Sequence, residues 1–384
     1  MIAILRGSWV IGGAERYLTT IGESLRRHRE VCYFSLDSSP TPEALHVLGL
    51  RHLGSYFRRW PADSSAIEKL TEQFDLFING ASHLLIEGRA RENWLIVFSP
   101  GTPTSGIWPR TRRLLTSQAR RIAFSQFGHL ALGQKTRTRL ALHPSRTDRA
   151  NQKTYERIVG ISEFVRGAIH RKWGIKGDLL YPSVNVQDFY LGRKTQKIVS
   201  VGRFAPYGNR KQHPLLIDAF RELHRRDRAW ELHLVGGLED NPSCKQYIQR
   251  LREQASDLPV EFHVNISSQM LKAQLATSSI YWHAAGYGVD ELKHPDEVEH
   301  FGISVVEAMA SGAIPIAFRA GGVPEIIDSG RNGFLWRAPS DLVDLTLELA
   351  EQPLKRQELS EAAVTRSLDF DTSVLEQTVR RWYY

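Results

Sequence analysis

Two series of short apolar runs constrain this chain more than any other feature. Each run is followed by a loop and then by apolar residues at helical spacing. The first series opens with a run over residues 1–5 and a Gly-rich loop over 7–13. It predicts a helix over 14–28, then strands at 31–36, 76–78, 95–98, 122–124 and 158–161, the last leading into a helix with Ser162 as N-cap. The second series starts with a strand at 198–201 that ends in Gly202-Arg203, and a helix over 214–225. A strand at 232–235 ends in Gly236-Gly237, and strands at 260–264, 280–283 and 314–318 continue the pattern. Helices are expected near 267–276 and 301–311, and from Ser340 to the end. Between the series, residues 181–192 (YPSVNVQDFYLG) break the alternation with Pro, Ser, Asn and Gly.

Alternating strands and helices imply doubly wound α/β sheets, and two series imply two of them. A length of 384 residues suits two domains. The expected division is residues 1–181, a linker at about 182–195, a second domain over 196–368, and a final helical segment over 369–384. Ligands of such sheets bind at the carboxyl ends of the strands, so the two domains are expected to face a central cleft.

Composition narrows the class. Hydrophobic residues make up 42% and charged residues 24%, the usage of an ordinary globular chain. Cys32 and Cys244 are the two cysteines and lie far apart, which excludes a disulfide framework and a cysteine-based zinc site. No apolar run reaches the roughly 18 residues of a membrane span. The apolar start, broken by Arg6 and Gly7, is too short for a secretory leader. The expected location is cytoplasmic, with peripheral attachment to the inner face of the membrane left open.

The net charge of +8 is concentrated in one stretch. Residues 106–157 hold twelve Lys or Arg against Asp148 and Glu156. That stretch faces something anionic, or it is a solvated basic face. An anionic membrane surface is one partner it would suit. Nucleic acid is another, but no RRM, KH or helix-turn-helix signature accompanies it.

The chemistry-bearing residues sit in the second series. Glu299 and Glu307 flank the segment EHFGISVVE. A helix starting near Gly302 would aim free backbone N–H groups at an anion, with Glu299 in the loop before it and Glu307 one turn inside. Two such carboxylates suit the hydroxyls of a sugar or ribose. The plainer reading is an acidic first turn that offsets the helix dipole. Arg203 and Lys211 follow the strand at 198–201 across a loop rich in Gly, Pro and Asn. They would clamp a diphosphate, or else they are two solvated loop cations. Gly12-Gly13 would let the first loop approach closely, but GSWVIGGA lacks the dinucleotide-binding G-x-G-x-x-G. A Walker loop, a D-x-D metal motif, H-E-x-x-H and G-x-S-x-G are all missing from the sequence, so no metal or cofactor is expected.

Taken together, VGRF with Lys211, EHFGISVVEAMASG, and GGVPEII followed by NGFL resemble the retaining glycosyltransferases of family four, which have the GT-B fold. The segment SIYWHAAGYGVDELKHPDEVEHFGISVVEAMASGAIP resembles a bacterial subgroup, and EHFG…VVE resembles mannosyltransferases that extend dolichol-linked oligosaccharides. The likeness is strong over about 198–336 and weaker, though collinear, over 1–190. It implies two Rossmann-like domains, the first binding acceptor and the second a nucleotide sugar. The final segment would cross back onto the first domain.

By this resemblance Arg203 and Lys211 would hold the donor diphosphate. Glu307 would bind ribose, and Glu299 would face the transferred sugar. Gly202 and the backbone amides of Gly302, Ile303, Ser304 and Val305 would line the donor. Gly12 and Gly13 would cover the diphosphate, and the base would lie near Val264. Transfer of a hexose-type sugar, with retention and without a metal, to a glycan or lipid-linked glycan is the activity implied. One departure is that the stretch WLIVFSPGT lacks the histidine many relatives carry near the acceptor, leaving Ser99 or Thr102 as substitutes. The competing readings are a nucleic-acid-binding protein using residues 106–157 and a same-fold nucleotide-sugar epimerase.

Overall fold

The computed structural model describes residues 1–7, 9, 12–35, 41, 45, 56–59, 64–81, 85–99, 146–207 and 211–384. The first half of these residues builds a seven-stranded sheet. Its strands are β1 (Ile2–Arg6), β2 (Val31–Ser35), β3 (Phe57–Arg59), β4 (Leu76–Asn79), β5 (Glu92–Val97), β6 (Arg157–Gly160) and β7 (Asp178–Leu179). Their order is β3-β2-β1-β4-β5-β6-β7, and every pairing is parallel. The connecting helices are α1 (Gly13–Arg26), α2 (Ser64–Thr71), α3 (Arg146–Gln152) and α4 (Glu163–Trp173). Parallel pairing requires crossovers that cover both faces of the sheet. That is why β1 and β4 are apolar almost throughout and buried, apart from the half-buried Arg6 that ends β1. Ser162 caps α4, its side chain accepting from the Val165 N–H at 3.1 Å.

The second sheet comprises β8 (Thr195–Val201), β9 (Glu231–Gly236), β10 (Val260–Val264), β11 (Ser278–His283), β12 (Ile314–Phe318) and β13 (Phe334–Trp336). Its order is β10-β9-β8-β11-β12-β13, again parallel. Its helices are α5 (His213–Arg226), α6 (Pro242–Gln254), α7 (Ser268–Thr277), α8 (Ile303–Ala310), α9 (Pro339–Glu351), α10 (Pro353–Ser367) and α11 (Thr372–Tyr383). The alternation read from the sequence therefore corresponds to two doubly wound Rossmann-like layers. Three short strands, β3, β7 and β13, carry too few residues for the alternation to reveal. The strand expected at 122–124 lies outside the described residues, as do residues 106–145 of the basic stretch and Thr102.

Both sheets reverse their order beside a central strand, β1 in the first and β8 in the second. Strand order runs outward from β1 to β2 on one side and to β4 on the other, and from β8 to β9 and to β11. The carboxyl ends beside such reversals are where crossover loops part and leave a crevice.

The two sheets are joined by an apolar seam. Tyr181, Phe301 and Phe370 meet with ring centroids 5.4–5.5 Å apart. Helix α11 lies against α1, with the Trp382 ring 5.8 Å from Trp94 at 85°. The Arg157 guanidinium sits 4.8 Å from the Trp382 ring centroid. The Asp371 carboxylate accepts from the Val186 N–H at 3.1 Å, which ties the start of α11 to the inter-sheet connection. No helix among the described residues is long and apolar enough to cross a membrane.

Candidate functional site

The site is assembled from the loops that follow β1, β8 and β11. Gly12 is the N-cap of α1, in extended conformation. Gly13 faces the opposite domain: a Cβ there would stand 2.6 Å from Ile303 Cδ1, at the first residue of α8. The bare backbone leaves room for the Ile303 side chain where the N-termini of α1 and α8 approach each other across the cleft. Glu15, also in the first turn of α1, is buried and accepts from Arg6 Nε at 2.9 Å.

Gly302 caps α8 with φ of 119°, and Ile303, Ser304 and Val305 form its first turn, as their order in the sequence requires. The Ser304 hydroxyl pairs with the Tyr281 hydroxyl of β11 at 2.8 Å. Glu307 lies one turn further on and is buried. Burial pushes its carboxyl up from the ordinary carboxylate value, against the opposing charges of Arg16 and Lys272. Arg16, from α1, reaches across to Glu307 Oε1 at 3.4 Å.

Lys211 and Glu299 form a close ion pair in which both side chains are mostly buried, at 17% and 15% exposure. Gly202 follows β8, and the stem of Lys211 crosses directly over it. His283, at the end of β11, is buried, and its Nε2 stands 3.3 Å from Glu299 Oε2. Burial disfavours the charged imidazole, even against the pull of Glu299. The tautomer that fits carries its proton on Nε2 and donates it to the carboxylate. Burial alone would raise the Glu299 carboxyl, but the Lys211 charge and the His283 hydrogen bond outweigh it and hold the group well below the usual carboxylate range.

The GGVPEII motif explains how Glu299 is held. Gly321 has φ of +59°, and a Cβ there would overlap the Glu299 carbonyl. At Gly322 a Cβ would overlap the His300 carbonyl, while the Gly322 N–H donates to Glu299 O at 2.9 Å. Glu325 of the same motif crosses to the first domain. Its carboxylate accepts from the N–H groups of Glu163 and Phe164 at 2.7 and 2.8 Å, at the N-terminus of α4.

The sequence-derived residues thus fall into a gathered set and two outliers. Gly12, Gly13, Gly202, Lys211, Glu299, Gly302, Ile303, Ser304 and Val305 occupy loops or first turns at strand carboxyl ends, with Glu307 one turn further into α8. Arg203 points elsewhere: its side chain is 64% exposed and stands 3.6 Å from Glu239. Val264 ends β10, half-buried, next to Asn265, whose φ is +52° and whose side chain accepts from the Leu238 N–H at 2.8 Å. On the acceptor side, Ser99 Oγ reaches Asp296 Oδ1 at 2.8 Å, another contact between the domains. Arg16, Tyr281, His283 and Glu325 were not singled out from sequence. A buried histidine closing an apolar strand was the available signal for His283. Arg16 and Glu325 depend on contacts between the two domains, and Tyr281 on the packing of α8 against β11.

Two parallel Rossmann-like sheets meeting at their carboxyl ends are the GT-B fold. Residues 187–366 match the family model described as "Glycosyl transferases group 1". Over 158 residues the chain is 33% identical to the Xenopus laevis GDP-Man:Man(3)GlcNAc(2)-PP-Dol alpha-1,2-mannosyltransferase, covering 38% of this chain and 29% of that one. It is 25% identical over 348 residues to the GDP-mannose-dependent alpha-(1-6)-phosphatidylinositol monomannoside mannosyltransferase of Mycolicibacterium smegmatis, covering 84% and 81% of the two chains. The crystal structure of Anabaena HepE in complex with UDP superposes with a TM-score of 0.72 at 16% identity, over 99% of this chain and 98% of that one. The chain spans less than a third of the length of the Xenopus relative.

Proposed function

We propose that this protein is a retaining glycosyltransferase. It moves a hexose-type sugar from a nucleoside diphosphate sugar to a glycan acceptor, without a metal at the leaving group. The observation that carries the reading is the convergence of the α1 and α8 N-termini, Lys211, Glu299 and Glu307 at the carboxyl ends of β1, β8 and β11.

Cleavage of the glycosidic bond loads negative charge onto the departing diphosphate. Fixed N–H groups and a cation stabilise that charge at no cost of reorganisation. The Lys211 ammonium has three donors, enough to keep Glu299 and also to meet a phosphate oxygen. Arg203 would turn from Glu239 to add a second cation. Glu299, ionised and anchored by His283 and by the glycine turn, would accept from hydroxyls of the sugar. Glu307 would take the ribose hydroxyls. Arg16 already reaches that carboxylate across the cleft, so donor binding and domain closure compete for one group.

The names of the two mannosyltransferase relatives make GDP-mannose the first donor to try, with UDP-glucose as the contrast. A lipid-linked acceptor, with residues 106–157 docking on anionic headgroups at the inner membrane face, belongs to the same proposal. The deciding experiment incubates the protein with radiolabelled nucleotide sugars in excess EDTA. Slow release of labelled sugar from one donor, undiminished by the chelator, is expected. No turnover of any donor would defeat the transferase reading, and loss on chelation restored by magnesium would defeat its metal-free form. Stoichiometric binding to duplex or single-stranded nucleic acid would favour the alternative built on the basic stretch.

A further inference from the structure

Strands β9 and β10 carry four residues that the cleft does not use. Glu231 and His233 alternate on β9, Glu261 and His263 alternate on β10, and the parallel register sets Glu261 opposite His233. A period of two puts all four on one face of the sheet. His233 is only 4% exposed and His263 15%, while both carboxylates reach solvent. His233 Nδ1, His263 Nε2 and Glu261 Oε2 stand 2.9, 3.3 and 3.6 Å apart.

Ligand atoms about 2.0–2.2 Å from a tetrahedral zinc lie roughly 3.3–3.5 Å from one another. The three edges of this triangle scatter around that length. The remaining nitrogen of His233, Nε2, faces Glu231 Oε2 at 3.3 Å. This is the outer carboxylate that orients a metal-bound imidazole and fixes its tautomer.

We propose that His233, His263 and Glu261 form a binding site for a divalent transition cation, zinc above all, with Glu231 as the outer carboxylate and the fourth position left to water. The geometry that must change is local. One imidazole now donates to the other, their rings within 13° of parallel; on metal binding the proton of the donating nitrogen passes to the far nitrogen of its own ring, and the two ligating nitrogens separate by a few tenths of an ångström. His263 lies on the edge strand and is the ring with room to turn. The nearby cation, Lys197 on β8, is held by Gln274 and Thr277 at 3.3 and 3.0 Å, and the two carboxylates offset its charge. Bound there, the ion staples β10 to β9. The C-terminal end of β10 carries Val264, so the ion stiffens that wall of the cleft without touching the proposed leaving-group chemistry. Sequence spacing conceals the site, because the two histidines are 30 residues apart on different strands.

The test uses the untagged full chain, stripped by chelating resin. Cobalt is added as a spectroscopic probe and then displaced by zinc. One equivalent of cobalt with the intense visible bands of a tetrahedral ion, displacement by one equivalent of zinc, and a rise in melting temperature with zinc are expected. Glu231→Gln should weaken zinc binding about ten- to a hundredfold. Glu261→Gln, an exposed and fold-neutral change, and His263→Ala should each remove the stoichiometric site. Absence of stoichiometric uptake, or uptake unchanged in Glu261→Gln, would show that the four residues are only a hydrogen-bonded imidazole pair.

Discussion

Replacing Lys211 with methionine keeps most of the stem that packs over Gly202 and removes only the charge. Glu299 is then left as a largely buried carboxylate with His283 as its remaining side-chain partner. Breaking a buried ion pair from one side costs about 3–5 kcal/mol. The retained His283 hydrogen bond returns about 1 kcal/mol of that, so a loss of about 2–4 kcal/mol at pH 7 is expected. The dependence on pH is the sharper test. In the native protein the folded Glu299 carboxyl lies below its unfolded value, so its contribution is present above pH 4.5 and is lost as pH falls through the folded value. In Lys211→Met burial dominates, and the folded carboxyl lies above the unfolded one. The variant's folded state then binds a proton that its unfolded state does not, and the penalty is relieved on acidification. The gap between the two proteins should be widest at pH 7–8 and narrow toward pH 4.5, by about 1.4 kcal/mol per pH unit once the variant's carboxyl begins to titrate. Urea unfolding at pH 8, 7, 6 and 5 measures it. The double variant Lys211→Met with Glu299→Gln should be more stable than Lys211→Met alone. A gap that stays constant across this range, or a double variant no more stable, would refute the account of Glu299 as a carboxylate kept ionised by Lys211.

Three further outcomes are expected. His213 is buried against Phe204, with its folded value pushed down to about 3, so stability present above pH 6.5 is lost as pH falls below it. Between pH 7 and 5 the native protein should lose about 2 kcal/mol more than His213→Phe, and parallel unfolding curves would contradict this. Gly322→Ala forces the His300 carbonyl away and displaces the turn that holds Glu299; transfer rate should fall at least tenfold while circular dichroism stays native, and full activity would remove the glycine pair from the account of the site. Truncation after Leu368 removes α11 and uncovers α1 and Trp94, so melting temperature and donor turnover should both drop, whereas unchanged values would leave the last helix without a coupling role.

The two βα series and most strand positions were legible in the sequence. A parallel sheet covered on both faces must be written in short apolar runs, as Ile2–Leu5 and Ile314–Phe318 illustrate. Such runs stay readable without knowing which strand lies beside which. Glu299, Gly302 and Glu307 were legible for a related reason: a helix start fixes their relation within a few residues of chain. Lys211 was visible as a loop cation, but the sequence left it equally readable as solvated.

What the sequence could not supply was anything set by contact between distant segments. Strand order placed β8 between β9 and β11, which brought Lys211 against Glu299 and His283, 88 and 72 residues further along in the case of Lys211. Packing of one sheet on the other delivered Arg16 to Glu307 and Glu325 to the N-terminus of α4, while the neighbouring loops after β8 and β9 set Arg203 against Glu239 instead of beside Lys211. Parallel register alone set the histidines of β9 and β10 on one face. Periodicity and caps are local properties that a few neighbouring residues enforce. Ion pairs and ligand sets across strands and domains depend on register and packing, and these exist only once the chain has closed on itself.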